Sequence, residues 1–186
     1  MSLNQNELTD LDEPISVTIK RDLLSFLTKV RYVLFPFSLE DKIKEIRNWD
    51  LFGPLIIGVA LSVLMILKSK SDKDHLFAAI FFILIVGSLI VTLNAKLVGV
   101  KFSVFFYVSA LGYSLAPFLI AAAVNLFLGS LITKMGVLIV TAFCYLWSLK
   151  SVSVFFQLSI KPTRKNLVFY PIIIYYLFFA WFVILE

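Results

Sequence analysis

Five long apolar runs, separated by short polar breaks, are the feature that most restricts how this chain can fold. The hydrocarbon core of a bilayer is about 30 Å thick, and roughly 20 apolar residues cross it as an α-helix. Each run approaches that length, so the sequence predicts five transmembrane spans. Only the fourth run is interrupted by a charge, at Lys150. The runs cover residues 51–67, 76–95, 102–128, 135–160 and 167–185.

The composition agrees with a membrane protein. Hydrophobic residues make up 60% of the chain and charged residues 16%, whereas soluble domains carry about 25% charged residues. Lipid cannot satisfy open backbone groups, and the runs lack the alternation of a membrane β-strand. The sequence therefore predicts an all-α, polytopic integral membrane protein, with a segment at 1–50 followed by a five-span domain at 51–186.

The distribution of lysine and arginine predicts the orientation. If the N-terminus is cytosolic, seven basic residues before Leu51, two at 96 and 101, and three at 161–165 face the cytosol. The opposite face then holds four, at positions 68, 70, 73 and 134. Basic residues favour cytosolic loops. Five crossings would leave Glu186 on the lumenal side, and the first span would itself act as the insertion signal.

The spanning region lacks the residue patterns of an enzyme. No aspartate or glutamate occurs between residues 75 and 185, so paired carboxylates for acid and base catalysis are missing from it. The one histidine, His75, and the one cysteine, Cys144, do not form a metal-ligand spacing. We therefore expect a non-enzymatic protein with no metal, no cofactor and no nucleic-acid partner.

Lys150 and the small polar residues near it allow two interpretations. A charge inside an apolar run is a candidate functional group, but a lysine near a span end also extends its side chain to the interface; we favour the second interpretation. The serines and small residues of the third and fourth runs indicate close helix packing, and a polar pathway is the alternative. They are Ser109, Ala110, Gly112, Ser114, Ser148, Ser151 and Ser153.

The N-terminal segment contains an amphipathic pattern from Ile15 to Leu34. Apolar residues recur at steps of three or four, which predicts one face of a helix, and Pro36 ends the pattern. The predicted helix lies on the lipid surface, on the protein's own spans or on a partner protein. The central residues of its apolar face are Ile19, Leu23, Phe26, Leu27 and Val30.

The stretch "RNWDLFGPLIIG" at 47–58 marks the start of the first span. Asp50 is predicted to cap unpaired N–H groups, and Pro54 falls where a helix tolerates a missing donor. Gly53 leaves bare backbone against which another helix could pack. These three residues predict an anchored helix start that is also a packing surface.

Four ordered motifs resemble the Yip-domain family of Golgi membrane proteins. They are "WDLFGPL" at 49–55, "TLNAKLVG" at 92–99, "LGYSLAP" at 111–117 and "KPTRKNLVFYP" at 161–171. With "LDEPISVTIKRDL" at 11–23, the chain most resembles the branch that contains the fourth yeast and the sixth human family members. One departure is Val100, where relatives commonly have a second glycine.

The resemblance implies a function in membrane traffic. It implies a Golgi protein with a cytosolic N-terminus that associates with Rab-type small GTPases and with other Yip-domain or Yif-type membrane proteins; cycling through the endoplasmic reticulum stays open. We therefore expect a bilayer-embedded adaptor in ER–Golgi or intra-Golgi vesicle trafficking. Its candidate partner-binding or structural residues are Asp50, Gly53, Pro54, Asn94, Lys96, Gly112, Tyr113 and Pro117.

Two other functional classes remain open on the sequence. A small channel or lipid transporter would use Asn125, Tyr113, Lys150 and a kink at Pro117 as a polar path. A membrane-shaping structural protein would act through the amphipathic helix alone. Ion or lipid flux in vesicles would indicate the first class, and tubulation of liposomes without a GTPase the second.

Overall fold

The computed structural model describes residues 15–34, 51–69, 73–100, 103–129, 131, 133–157 and 164–185. Across these ranges all regular secondary structure is helical, as the sequence predicts. The helices are α1 (Ile15–Leu34), α2 (Phe52–Lys68), α3 (Lys73–Phe82), a π-helical segment (Ile83–Gly87), α4 (Ser88–Val98), α5 (Val104–Tyr113), α6 (Ala116–Leu128), α7 (Lys134–Gln157) and α8 (Lys165–Leu185).

Among the described residues, four helical stretches are long and apolar enough to cross a bilayer. They are His75–Val98, Val104–Leu128, Lys134–Val154 and Lys165–Leu185. The first apolar run forms the 17-residue helix α2, which at 1.5 Å per residue is about 25 Å long. Since α2 is shorter than a usual span, the count of five crossings stays a prediction.

Helix α2 is nonetheless packed inside the bundle. Its buried residues recur at steps of three or four along one side of the helix, against α3, α5 and α6. Small residues on this side allow close approach to those helices. The buried set is Gly53, Pro54, Ile57, Gly58, Leu61, Ser62 and Met65.

The second span is interrupted by a π-helical segment, a feature that the apolar pattern did not predict. At its end, the Gly87 position faces the ring of Tyr175 in α8, whose Cδ2 atom would lie 2.8 Å from a Cβ at this site. A side chain here would therefore displace an aromatic ring of the neighbouring span. The glycine permits α8 to approach the widened helix closely.

The second span ends in a left-handed turn. Gly99 has φ +97° and donates its N–H to the Lys96 carbonyl, while Val100 donates to the Ala95 carbonyl. This is the Schellman arrangement, and it favours glycine at the left-handed position. Val100 itself is buried, so its side chain adds apolar packing at the turn.

The third apolar run is divided into two helices. The α-helical pattern breaks at Ser114 and Leu115, where Leu115 donates to the Gly112 carbonyl. The Tyr176 hydroxyl of α8 donates to the Leu111 carbonyl across 3.0 Å. Pro117 is buried in the first turn of α6, a position that needs no donor from it. At this break the third span is therefore hydrogen-bonded to the last one.

Helix α1 occupies the predicted range, but its predicted apolar face is divided. Phe26 and Val30 pack against the bundle together with the buried Val33, whereas Leu23 and Leu27 are exposed. The side chain of Ile19 lies outside the part of the chain that the structure describes. The side that meets the bundle is therefore rotated away from the centre of the predicted stripe.

Candidate functional site

The motif residues of α2 and α5 meet in one place. Gly53 and Pro54 lie in the first turn of α2, and Gly112 and Tyr113 end α5. All four are buried. Two motifs that are nearly 60 positions apart in the sequence therefore form a single contact, which we call the glycine contact.

The glycine contact is reciprocal. The Tyr113 hydroxyl occupies the space that a Cβ at Gly53 would need, and the Pro54 ring does the same at Gly112. A Cβ on Gly112 would also lie 3.1 Å from the Pro54 Cα atom. Each helix thus offers one glycine as a hole and one ring as a knob, which fixes their relative position and rotation.

Helix α1 covers this contact on one side. The ring of Phe26 lies 6.1 Å from the ring of Tyr113, centroid to centroid. Aromatic pairs at this separation and tilt attract weakly. Tyr113 therefore touches both the first spanning helix and the N-terminal segment.

The C-terminal end of α1 is held by two side chains of α7. The Trp147 indole N–H donates to the Leu34 carbonyl, and the Ser151 hydroxyl donates to the Val33 carbonyl, each across 2.8 Å. The last carbonyls of a helix lack partners within the helix. Helix α7 supplies those partners, so α1 is attached to the membrane domain by hydrogen bonds as well as apolar packing.

Asn94 belongs to a second cluster, at the end of the second span. Its side-chain amide donates to the Leu167 carbonyl in α8 across 3.0 Å. Leu167 is four residues before Pro171, which has no N–H to give to that carbonyl. Asn94 therefore replaces the hydrogen bond that Pro171 removes.

The surrounding turn strengthens this second cluster. Arg164, just before α8, donates to the Val98 carbonyl across 3.4 Å. Lys96 lies in the last turn of α4, where a positive charge is favourable beside the helix carbonyls. The motifs at 92–99 and 161–171 thus form one joint between two spans, separate from the glycine contact.

A third polar cluster is centred on Asn125, which the sequence indicated only as part of the alternative polar path. Asn125 of α6 accepts from the Lys68 ammonium across 2.7 Å and donates to the Val183 carbonyl across 2.9 Å. Asn125 is buried. It joins the ends of three helices. The sequence signal for it is an amide inside an apolar run, but the sequence did not indicate its partners.

The remaining candidate residues are not part of these three clusters. Asp50 lies outside the described residues, so its capping role stays a prediction; the residue that precedes α2 is Leu51, which makes no side-chain cap. Cys144 is buried, and His75 and Lys150 are exposed. Within the described ranges, no three histidine, cysteine, aspartate or glutamate residues are grouped so as to hold a metal ion.

Two residues of the alternative polar path, Asn125 and Tyr113, have partners inside the bundle. Asn125 is bonded to Lys68 and Val183, and Tyr113 is packed against Gly53. The cavity beside Asn125 measures about 10 Å³, which holds at most about one water molecule. In the structure Asn125 and Tyr113 therefore contribute to helix packing, and the polar path stays an untested alternative.

Comparison with known proteins identifies the family. The Yip1 domain profile matches residues 33–185, which include α2 to α8 and hence the glycine contact. No solved structure matches the chain.

Individual relatives match over nearly the whole length. Protein YIPF6 of Xenopus tropicalis is 33% identical, over 97% of this chain and 79% of its own. Protein YIP4 of Schizosaccharomyces pombe is 31% identical, over 94% and 75%. Protein YIPF6 of Homo sapiens is 31% identical, over 98% and 79%. The resemblance deduced from the motifs is therefore confirmed, and the chain belongs to the Yip1 domain family of membrane proteins.

Proposed function

We propose that this protein is a membrane-embedded adaptor in ER–Golgi or intra-Golgi vesicle trafficking. It recruits Rab-type small GTPases and assembles with other Yip-domain or Yif-type membrane proteins. The observation that carries the proposal is the attachment of α1 to the spans through Tyr113, Trp147 and Ser151. A protein bound to the N-terminal segment is thereby connected directly to the spanning domain.

The proposal includes a five-span topology in the Golgi membrane. In it α2 crosses as the first span despite its 17 residues, because a short apolar helix is accommodated by local thinning of the bilayer. The N-terminus faces the cytosol and Glu186 the lumen, as the distribution of basic residues favours.

The chemistry of the described residues supports an adaptor better than an enzyme. The glycine contact and the joint between α4 and α8 consist of rings, glycines, an amide, a guanidinium and backbone carbonyls. Such groups determine how helices fit together, and they provide neither a nucleophile with a base nor a metal centre. We therefore propose that the protein acts through binding alone.

Affinity purification from a gentle detergent tests this function. We expect the tagged protein to recover one or more small GTPases and at least one other Yip-domain protein. Replacing Trp147 with phenylalanine and Ser151 with alanine removes both hydrogen bonds to α1, each worth about 1 kcal/mol. This double variant should recover less GTPase while keeping its Yip-domain partners.

Ser153→Ala is the matched control for the double variant. The Ser153 hydroxyl bonds to the Lys150 carbonyl in its own helix, so its loss leaves α1 attached. Recovery by this variant should equal that of the wild type. The adaptor proposal is wrong if the wild-type protein recovers no small GTPase under conditions in which its Yip-domain partners remain bound.

A further inference from the structure

Helix α1 crosses the spans instead of running along them. Its Phe26 contacts Tyr113, and its Val33 carbonyl accepts from Ser151. The Ser151 hydroxyl also lies 3.4 Å from that of Ser114, the neighbour of Tyr113. The two attachment points, about 10 Å apart along α1, are therefore at one level of the bundle. This stretch of α1 is consequently close to parallel with the membrane plane.

The depth of this level corresponds to the edge of the bilayer. Helix α7 extends to Gln157, the first polar residue after Ser153 and six residues after Ser151, which is about 9 Å along the helix. Helices that lie in the membrane interface bury their apolar face about 5–10 Å deep. The attachment to α7 thus holds α1 at the boundary between headgroups and acyl chains.

The side of α1 that faces away from the bundle is both apolar and basic. Leu23, Leu24 and Leu27 are 51%, 54% and 52% exposed. Lys20 and Arg31 are also exposed. The positions 20, 24, 27 and 31 follow steps of four, three and four, which places them along one face of the helix. Leu24 and Leu27 therefore lie between the basic residues Lys20 and Arg31 along this face.

We propose that this outward face of α1, defined by Lys20, Leu23, Leu24, Leu27 and Arg31, binds an anionic lipid surface. The leucines enter the acyl boundary, and the two basic side chains extend to lipid phosphates. The occupant is lipid because the face combines a depth at the bilayer edge with positive charge, and the cytosolic leaflet is negative. This inference rests on the cytosolic orientation of the proposed function, but it does not need a GTPase.

Nitroxide accessibility in the full-length protein tests the inference. In a Cys144→Ser background, one label is placed at Leu27→Cys and a matched one at Ser25→Cys, an exposed position on another side of α1. The protein is reconstituted in vesicles of phosphatidylcholine containing phosphatidylserine in both leaflets. We expect the ratio of oxygen to aqueous nickel-complex accessibility to be several-fold higher at position 27 than at 25.

Equal accessibility of the two labels to the nickel complex would overturn the proposal, because the face would then lie in water and be open to a protein partner. The basic residues are tested with Lys20→Gln and Arg31→Gln together. This pair should lower the ratio at position 27 in vesicles with phosphatidylserine but not in phosphatidylcholine alone. If the ratio at position 27 changes neither with the lipid charge nor with the two substitutions, the face does not select anionic lipid and the proposal is contradicted.

The result is independent of the proposed function. Both leaflets have the same composition, so either orientation of the protein gives the same readout. No GTPase is present in the vesicles. Loss of GTPase recovery in the purification experiment would leave the lipid result standing, and the reverse also holds.

Discussion

Replacing Gly53 with leucine is expected to disrupt the packing of α2 on α5 and to abolish recovery of Yip-domain partners. The Tyr113 hydroxyl occupies the space of even a first side-chain carbon at Gly53. Overpacking of this kind typically costs about 1–3 kcal/mol. The variant adds no charge, so insertion into the membrane should be unchanged. Thermal unfolding in detergent and partner co-purification measure the two effects.

Two further variants determine whether the glycine contact is responsible. Val59→Leu adds bulk to an exposed position of the same helix and should change neither measurement. Tyr113→Ala frees the space above Gly53, so adding it to Gly53→Leu should restore part of the lost stability, a non-additivity expected only for residues in contact. Unchanged stability and partner recovery in Gly53→Leu would remove this contact from the candidate site.

Replacing Asn94 with leucine is expected to loosen the joint between α4 and α8. The amide that donates to the Leu167 carbonyl is lost, and a typical hydrogen bond contributes about 0.5–1.5 kcal/mol. Unfolding in detergent, followed by the fluorescence of a thiol dye at the buried Cys144, should report a lower midpoint.

Pro171→Ala provides the specific control. Alanine at 171 restores an N–H that can donate to the Leu167 carbonyl, so Asn94→Leu should cost less in this background than in the wild type. Equal costs in the two backgrounds would mean that Asn94 does not act by replacing the hydrogen bond that Pro171 removes.

The positions of the helices in the membrane domain could be predicted from the sequence, because a helix that crosses lipid must be a long apolar run. The bounds of α1 followed from its apolar period and from Pro36 beyond its end. The break at Ser114 and Leu115 comes just before Pro117, where the sequence allowed a kink. By contrast, the π-helical segment at Ile83–Gly87 left the apolar pattern unchanged. Gly87 at its end faces Tyr175 of α8, and the pattern of one run does not identify its neighbour.

The sequence predicted which residues belong to the candidate site better than it predicted how they are arranged. Gly53 and Gly112 were identified within their motifs. The packing of each glycine against a ring of the other helix depends on which helices are neighbours in the bundle. The bonds from Trp147 to α1 and from Lys68 to Asn125 each join residues that are far apart in sequence. Hydropathy and motif spacing give no information about such partners.

The location of the two chain ends tests the central claim most directly, since an adaptor for small GTPases needs its N-terminal segment in the cytosol. Acceptor sites for N-glycosylation are added before residue 15 in one version and after residue 186 in another. The account predicts glycosylation of the C-terminal tag only, with five crossings that include α2. Glycosylation of the N-terminal tag, or of neither tag, would contradict it.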